Sequence, residues 1–174
     1  MFTILPITGR LLAGRWASRR CEVRSGSLFL TRQLSLQADN SWGAEFHYFS
    51  DPDCSRPEFS VSVSGQYIRA GRSGRVPGAA NIDFLLTKAA VRPQSQQILS
   101  QLNSSTCGLQ ELWELDDYQD VTAQGGCSEL GLTVPSLSLE IIKVELSKQA
   151  NLELFLGQPR LVVLAPNRQN NVQI

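Results

Sequence analysis

By residue type, the side chains best suited to chemistry here are Cys21, Cys54, Cys107, Cys127, His47 and the adjacent pair Asp116-Asp117. No two cysteines form a C-x-x-C pair. A zinc site would therefore need all four thiolates, or three and His47, gathered from scattered positions. An even number at wide spacing suits two disulfides instead, and four cysteines allow three pairings. The preferred pairing is Cys21–Cys54 with Cys107–Cys127, each stapling neighbouring strands. Each closure contributes about 3 kcal/mol by chain entropy. Such bonds imply an oxidising compartment, and the sequon Asn103-Ser104-Ser105 agrees with one. A hydrolase needs a nucleophile beside a positioned base. His47 is out of phase with Phe46 and Tyr48 and so faces away from the apolar side of its strand. Asp116 and Asp117 on a strand point to opposite faces and form no carboxylate dyad. No catalytic residue, metal site or cofactor is read.

The elements that must position these residues are strands, because strict alternation dominates the chain. Leu28, Leu30, Leu34 and Leu36 share one face, with Arg32 the exception. Trp42, Ala44, Phe46 and Tyr48 form another, as do Phe59, Val61, Val63 and Tyr67 opposite Ser60, Ser62 and Ser64. Ile82, Phe84 and Leu86 follow, then Leu130, Leu132 and Val134, then Leu137, Leu139 and Ile141, then Leu152, Leu154 and Leu156. Turn residues separate them: Asp39-Asn40-Ser41, the loop from Ser50 to Cys54, the glycine-rich stretch from Gly71 to Gly78, and Asn151. One short helix is expected, with Pro93 in its first turn and Ile98, Leu99 and Leu102 on one side.

The fold class expected is all-β with one short helix, an antiparallel barrel of eight or nine strands. It spans residues 14–158, after an N-terminal segment 1–13 and before a tail 159–174 that is disordered at its end. Barrels need one apolar and one polar face on every strand, and eight strands can enclose a small ligand or fill their interior with side chains. The candidate pocket lining is Leu30, Phe46, Tyr48, Phe59, Val61, Val63, Ile82, Phe84, Leu132 and Leu139.

Sixteen basic and sixteen acidic residues cancel, giving no overall field for nucleic acid. Arg10, Arg15, Arg19, Arg20, Arg24 and Arg32 crowd the first strands, and Glu111, Glu114, Asp116, Asp117 and Asp120 form an acidic stretch. These are either two solvated edges or a basic rim that meets an anionic partner. No run of eighteen apolar residues suggests a membrane span. Pro6 interrupts the opening, which lacks the apolar core of a signal peptide.

Gly14-Arg15-Trp16 fits the Gly-x-Trp opener of lipocalins, whose Trp closes one barrel end; a Trp packed at a strand start reads equally well. A longer series of pieces resembles the extracellular domain of the adenomatosis polyposis coli down-regulated one family of Wnt antagonists. They are Gly14-Arg15-Trp16, Ser18, Cys21-Glu22-Val23-Arg24, Leu28-Phe29-Leu30-Thr31-Arg32, His47-Tyr48-Phe49-Ser50-Asp51-Pro52 with Cys54, Gln119-Asp120-Val121-Thr122, Gly126-Cys127 and Glu153-Leu154-Phe155-Leu156-Gly157. The second of that family's two tandem domains is the nearest in pattern. The resemblance implies a cysteine-stapled barrel with an apolar pocket, capture of the acyl chain on Wnt ligands, and inhibition of Wnt signalling at the cell surface. Family members carry a signal peptide, two such domains and a membrane anchor; one domain is read here.

The expected function is thus an extracellular barrel binding an acylated Wnt protein or another fatty-acyl ligand. The alternatives are a protein-interaction module with a filled core, acting through Arg19, Arg20, Arg72 and Arg75, and a fragment that depends on the rest of a larger membrane-anchored protein.

Overall fold

The computed structural model describes residues 12–24, 28–108, 112–148, 151–157 and 161–162. The N-terminal segment before Leu12 and the disordered tail end expected above lie outside the described residues. The strands, in order, are β1 (Gly14–Ala17), β2 (Glu22–Arg24), β3 (Leu28–Leu36), β4 (Ser41–Phe49), β5 (Pro57–Arg72) and β6 (Ala80–Pro93). Helix α1 (Gln96–Asn103) follows, then β7 (Gln119–Asp120), β8 (Gly126–Cys127), β9 (Leu132–Thr133), β10 (Ser136–Leu146), β11 (Leu152–Leu156) and β12 (Leu161–Val162).

Ten strands form one antiparallel sheet, its main path running β1-β3-β4-β5-β6-β10-β11. It curls into a nearly closed barrel. Among the described residues no ladder joins the β1 or β2 edge to β11; an ion pair between Arg19 and Glu153 spans the seam. β8 and β9 pair separately as a two-stranded ribbon.

Alternation sets the register. Leu34–Ala44–Val63–Ala89 and Leu36–Trp42–Gly65–Leu86 run as rows across four strands and are buried except at Gly65. Trp42 meets Phe84 edge-on with centroids 4.9 Å apart, and its indole N–H donates to the Leu85 carbonyl at 3.1 Å. Tyr67 closes this end of the core, its hydroxyl donating to the Gln37 carbonyl at 2.8 Å. Burial pushes the Tyr67 phenol up.

Three expectations are corrected. Pro93 ends β6 rather than starting the helix; the N-cap is Ser95, whose hydroxyl accepts from the Ile98 N–H at 3.2 Å and donates to Glu58 at 2.6 Å. Leu130 lies in a 3-10 turn and Leu132 in the β8–β9 ribbon, so no barrel strand carries the 130–134 alternation. On β10 the phase is reversed. Ser138 pairs with Phe84 and Glu140 with Ile82, so Ser138, Glu140, Ile142 and Val144 face inward, and Leu139, opposite Asp83, faces outward. Leu137, Leu139 and Ile141 mimic a core face because both sides of β10 carry apolar residues.

Candidate ligand-binding face

The cysteines pair as preferred from the sequence. Cys21–Cys54 and Cys107–Cys127 are disulfides, with Cα atoms 5.6 and 4.9 Å apart. Cys21 precedes β2, and Cys54 sits in the β4–β5 loop at φ 53°. The buried Asp51 holds that loop: its carboxylate accepts the Arg56 N–H at 2.7 Å and the Ser55 hydroxyl at 2.9 Å. Burial pushes the Asp51 carboxyl up, but these donors and the Arg56 charge outweigh it and hold the group below its ordinary value. The bond thus ties the β2 edge to the β4–β5 turn at one end of the barrel.

The concave face changes character toward that end. On β4 the inward Trp42 and Ala44 are buried, whereas the inward Phe46 and Tyr48 are only half-buried. The rows there are Leu30–Tyr48–Phe59–Pro93 and Arg32–Phe46–Val61–Val91. Tyr48 stacks on Phe59, ring centroids 4.4 Å apart. Arg32, the exception in the apolar alternation, also points to this face and is held by Glu22 of β2: Nε donates to Oε1 at 3.0 Å and the terminal nitrogen to Oε2 at 2.7 Å. The Ser18 hydroxyl donates to the same Oε1 at 2.6 Å. A mostly apolar surface with a few convergent polar groups is the ordinary make-up of a small-ligand site.

Of the expected lining residues, Leu30, Phe46, Tyr48, Phe59, Val61 and Val63 lie together on this face, with Ile82 and Phe84 further along it under Tyr67. Leu132 belongs to the separate ribbon, though packed into the same core, and Leu139 is on the other face. Trp16 packs against the core from the β1 edge, its indole N–H donating to the Leu12 carbonyl at 3.0 Å.

The convex side carries a polar cluster that alternation did not reveal. His47 faces outward as expected, but it is engaged: Nδ1 lies 2.8 Å from the Ser60 hydroxyl, and Nε2 lies 3.5 Å from Glu45. Ser60 is fully buried and donates to the Gln94 side-chain oxygen at 2.6 Å. Ser60 thus bridges His47 and Gln94 in one polar row. Arg92 lies over the Tyr118 ring at 4.8 Å and pins the 113–120 segment onto this cluster. Burial pushes the Tyr118 phenol up, aided by Glu45 and opposed by Arg92. Asp116 sits in a turn of that segment at φ 61° and Asp117 follows it, so the pair does not lie on a strand.

Asn103 ends α1 on the surface, and its side-chain oxygen accepts the Trp113 N–H at 2.8 Å. The indole of the buried Trp113 donates to the Cys107 carbonyl at 3.0 Å. The sequon therefore sits beside the second disulfide.

These features define an antiparallel β-barrel module stapled by two disulfides, a make-up that fits an oxidising, extracellular setting. Among the described residues no helix is long and apolar enough to cross a membrane. The sequence profile of the family Adenomatosis polyposis coli down-regulated 1 matches residues 5–163, and the chain belongs to that family.

Proposed function

We propose that this domain binds an acyl chain on its concave face and through it masks acylated Wnt ligands at the cell surface, restraining Wnt signalling. The observation that carries the reading is the change along β4 from buried Trp42 and Ala44 to half-buried Phe46 and Tyr48. It leaves aromatic surface uncovered on the inside of a curved sheet, where an apolar ligand can complete the packing. Burying a lipid tail gains about 0.8 kcal/mol per methylene. A chain of ordinary length can thus drive association without a charged contact. Family membership supports the same reading.

The test is binding of a palmitoleoylated peptide to the oxidised domain and to Phe46→Asp. Phe46 is half-buried, so the substitution leaves the fold standing while placing a charge on the proposed surface. Affinity is expected to fall by about tenfold or more. Ile68→Asp, at a convex position 66% exposed, serves as the control and keeps full affinity. Equal affinity of Phe46→Asp and the parent would end this reading.

A further inference from the structure

We propose that the β5–β6 hairpin carries a paired-arginine site for a linear sulfated polysaccharide. The hairpin overhangs the Tyr67 end of the barrel, at the far end of the concave face from Phe46 and Tyr48. From Gln66 to Gly78 it contains Arg69, Arg72 and Arg75 and no carboxylate. Arg69 and Arg72 are exposed.

The pairing register makes a site of what is otherwise a spaced charge run. Residues three apart on a regular strand point to opposite faces. Here Arg69 pairs with Ile82 and Arg72 with Ala80, so three steps on β5 match two on β6. The extra residue is a β-bulge containing Gly71 at φ +99°. Because Ile82 and Ala80 share a face, Arg69 and Arg72 share it too, about 7 Å apart along the strand. A bulge commonly re-aims a side chain in this way. Two guanidinium forks side by side match the oxygens of successive anionic groups on a polymer.

The surroundings favour a polysaccharide over a bilayer. Ile68, the exposed apolar residue of this segment, pairs with Asp83 and lies on the opposite face from the two arginines. Interfacial binding to lipid needs cations and an inserting apolar group presented together. The nearest carboxylates by register are Asp83, on that opposite face, and the buried Glu140, which lies beyond Ile82 in the Arg69 row and accepts the Ser138 hydroxyl at 2.8 Å. A third, Asp39 of the β3–β4 turn, reaches the Tyr67 phenol as Arg69 does, and its carboxylate accepts the Ser41 N–H and hydroxyl at 2.9 and 2.6 Å. Disulfides place the chain where sulfated polymers rather than nucleic acids are the available polyanions.

The test uses the oxidised full chain and a heparin octasaccharide, titrated from low to physiological salt. Binding is expected to weaken linearly in log–log form with salt. Arg69→Ser with Arg72→Ser is expected to lose about tenfold in affinity and to flatten that slope by about two contacts. Arg69→Lys with Arg72→Lys keeps the charge and the slope but loses affinity through the missing forks. Unchanged melting temperatures show that the variants fold. Heparin binding that ignores the double serine substitution overturns the proposal. So does absence of binding by the parent at physiological salt, or binding confined to phosphatidylserine vesicles.

Discussion

Arg32 reaches diagonally across the β2–β3 ladder to grip Glu22 with two hydrogen bonds, at 3.0 and 2.7 Å, on the concave face beside Leu30 and Phe46. Both side chains are mostly shielded, at 17% and 24% exposure. Loss of one partner therefore leaves a charge stranded among apolar groups. Arg32→Met is expected to cost about 2 kcal/mol in urea unfolding. Glu22→Gln combined with Arg32→Met is expected to cost less than the two single losses added together.

The Asp51 carboxyl, held below its ordinary value, makes the Cys21–Cys54 end acid-sensitive. A depressed folded-state value means that its contribution is complete above the unfolded value of about 3.9. The contribution is lost as pH falls through the lower folded value. Thermal unfolding should show melting temperature dropping below about pH 4. Asp51→Asn is expected to melt lower at neutral pH and to reduce that acid dependence.

Gly65 sits where β5 presses on β6. A Cβ there would lie 1.8 Å from the Leu85 carbonyl oxygen, the same oxygen that receives the Trp42 indole N–H. Backbone cannot yield as a flexible side chain does. Gly65→Ala should cost about 3 kcal/mol or more by chemical denaturation, with reduced near-ultraviolet ellipticity from Trp42. Gly74→Ala, where a Cβ meets nothing within 4 Å, should be nearly neutral and serves as the comparison.

Asn103 offers its oxygen to Trp113 and leaves its amide nitrogen, the atom a glycan modifies, on the surface. Glycan attachment and the loop contact are therefore compatible. Secretion from mammalian cells should give a band that an N-glycosidase shifts, and Ser105→Ala should abolish the shift. Asn103→Asp keeps the acceptor while removing the sequon. It should be more stable than Asn103→Ala by about 1 kcal/mol.

The sequence discloses most of β3 to β6, because each buries one side only and period-2 alternation then reports the face directly. Phe46, Tyr48, Phe59, Val61 and Val63 come together for that reason. β10 misleads for the opposite reason. Leu137, Leu139 and Ile141 are apolar on the outer side, while the inner side admits Ser138 and Glu140. Arg32 reads as an interruption because its partner Glu22 lies on a different strand, and no local pattern announces a diagonal ion pair. The Ser60–His47–Gln94 contacts join β4, β5 and the residues after β6, so only the tertiary fold assembles them. The Arg69–Arg72 pair is hidden by a one-residue bulge that counting by twos cannot anticipate, although Gly71 inside a strand is the available sign of it.

Glu153, the acidic partner of Arg19 across the seam, has a second consequence. It is the only charged residue in Leu152-Glu153-Leu154-Phe155-Leu156, a strand rich in large apolar side chains whose outer edge pairs with no other strand among the described residues. Such a segment is a template for intermolecular pairing, and a single charge within it acts as a gatekeeper. The same carboxylate that meets Arg19 across the seam thus also interrupts the apolar run on an unpaired edge, the place where a charge opposes pairing with another chain.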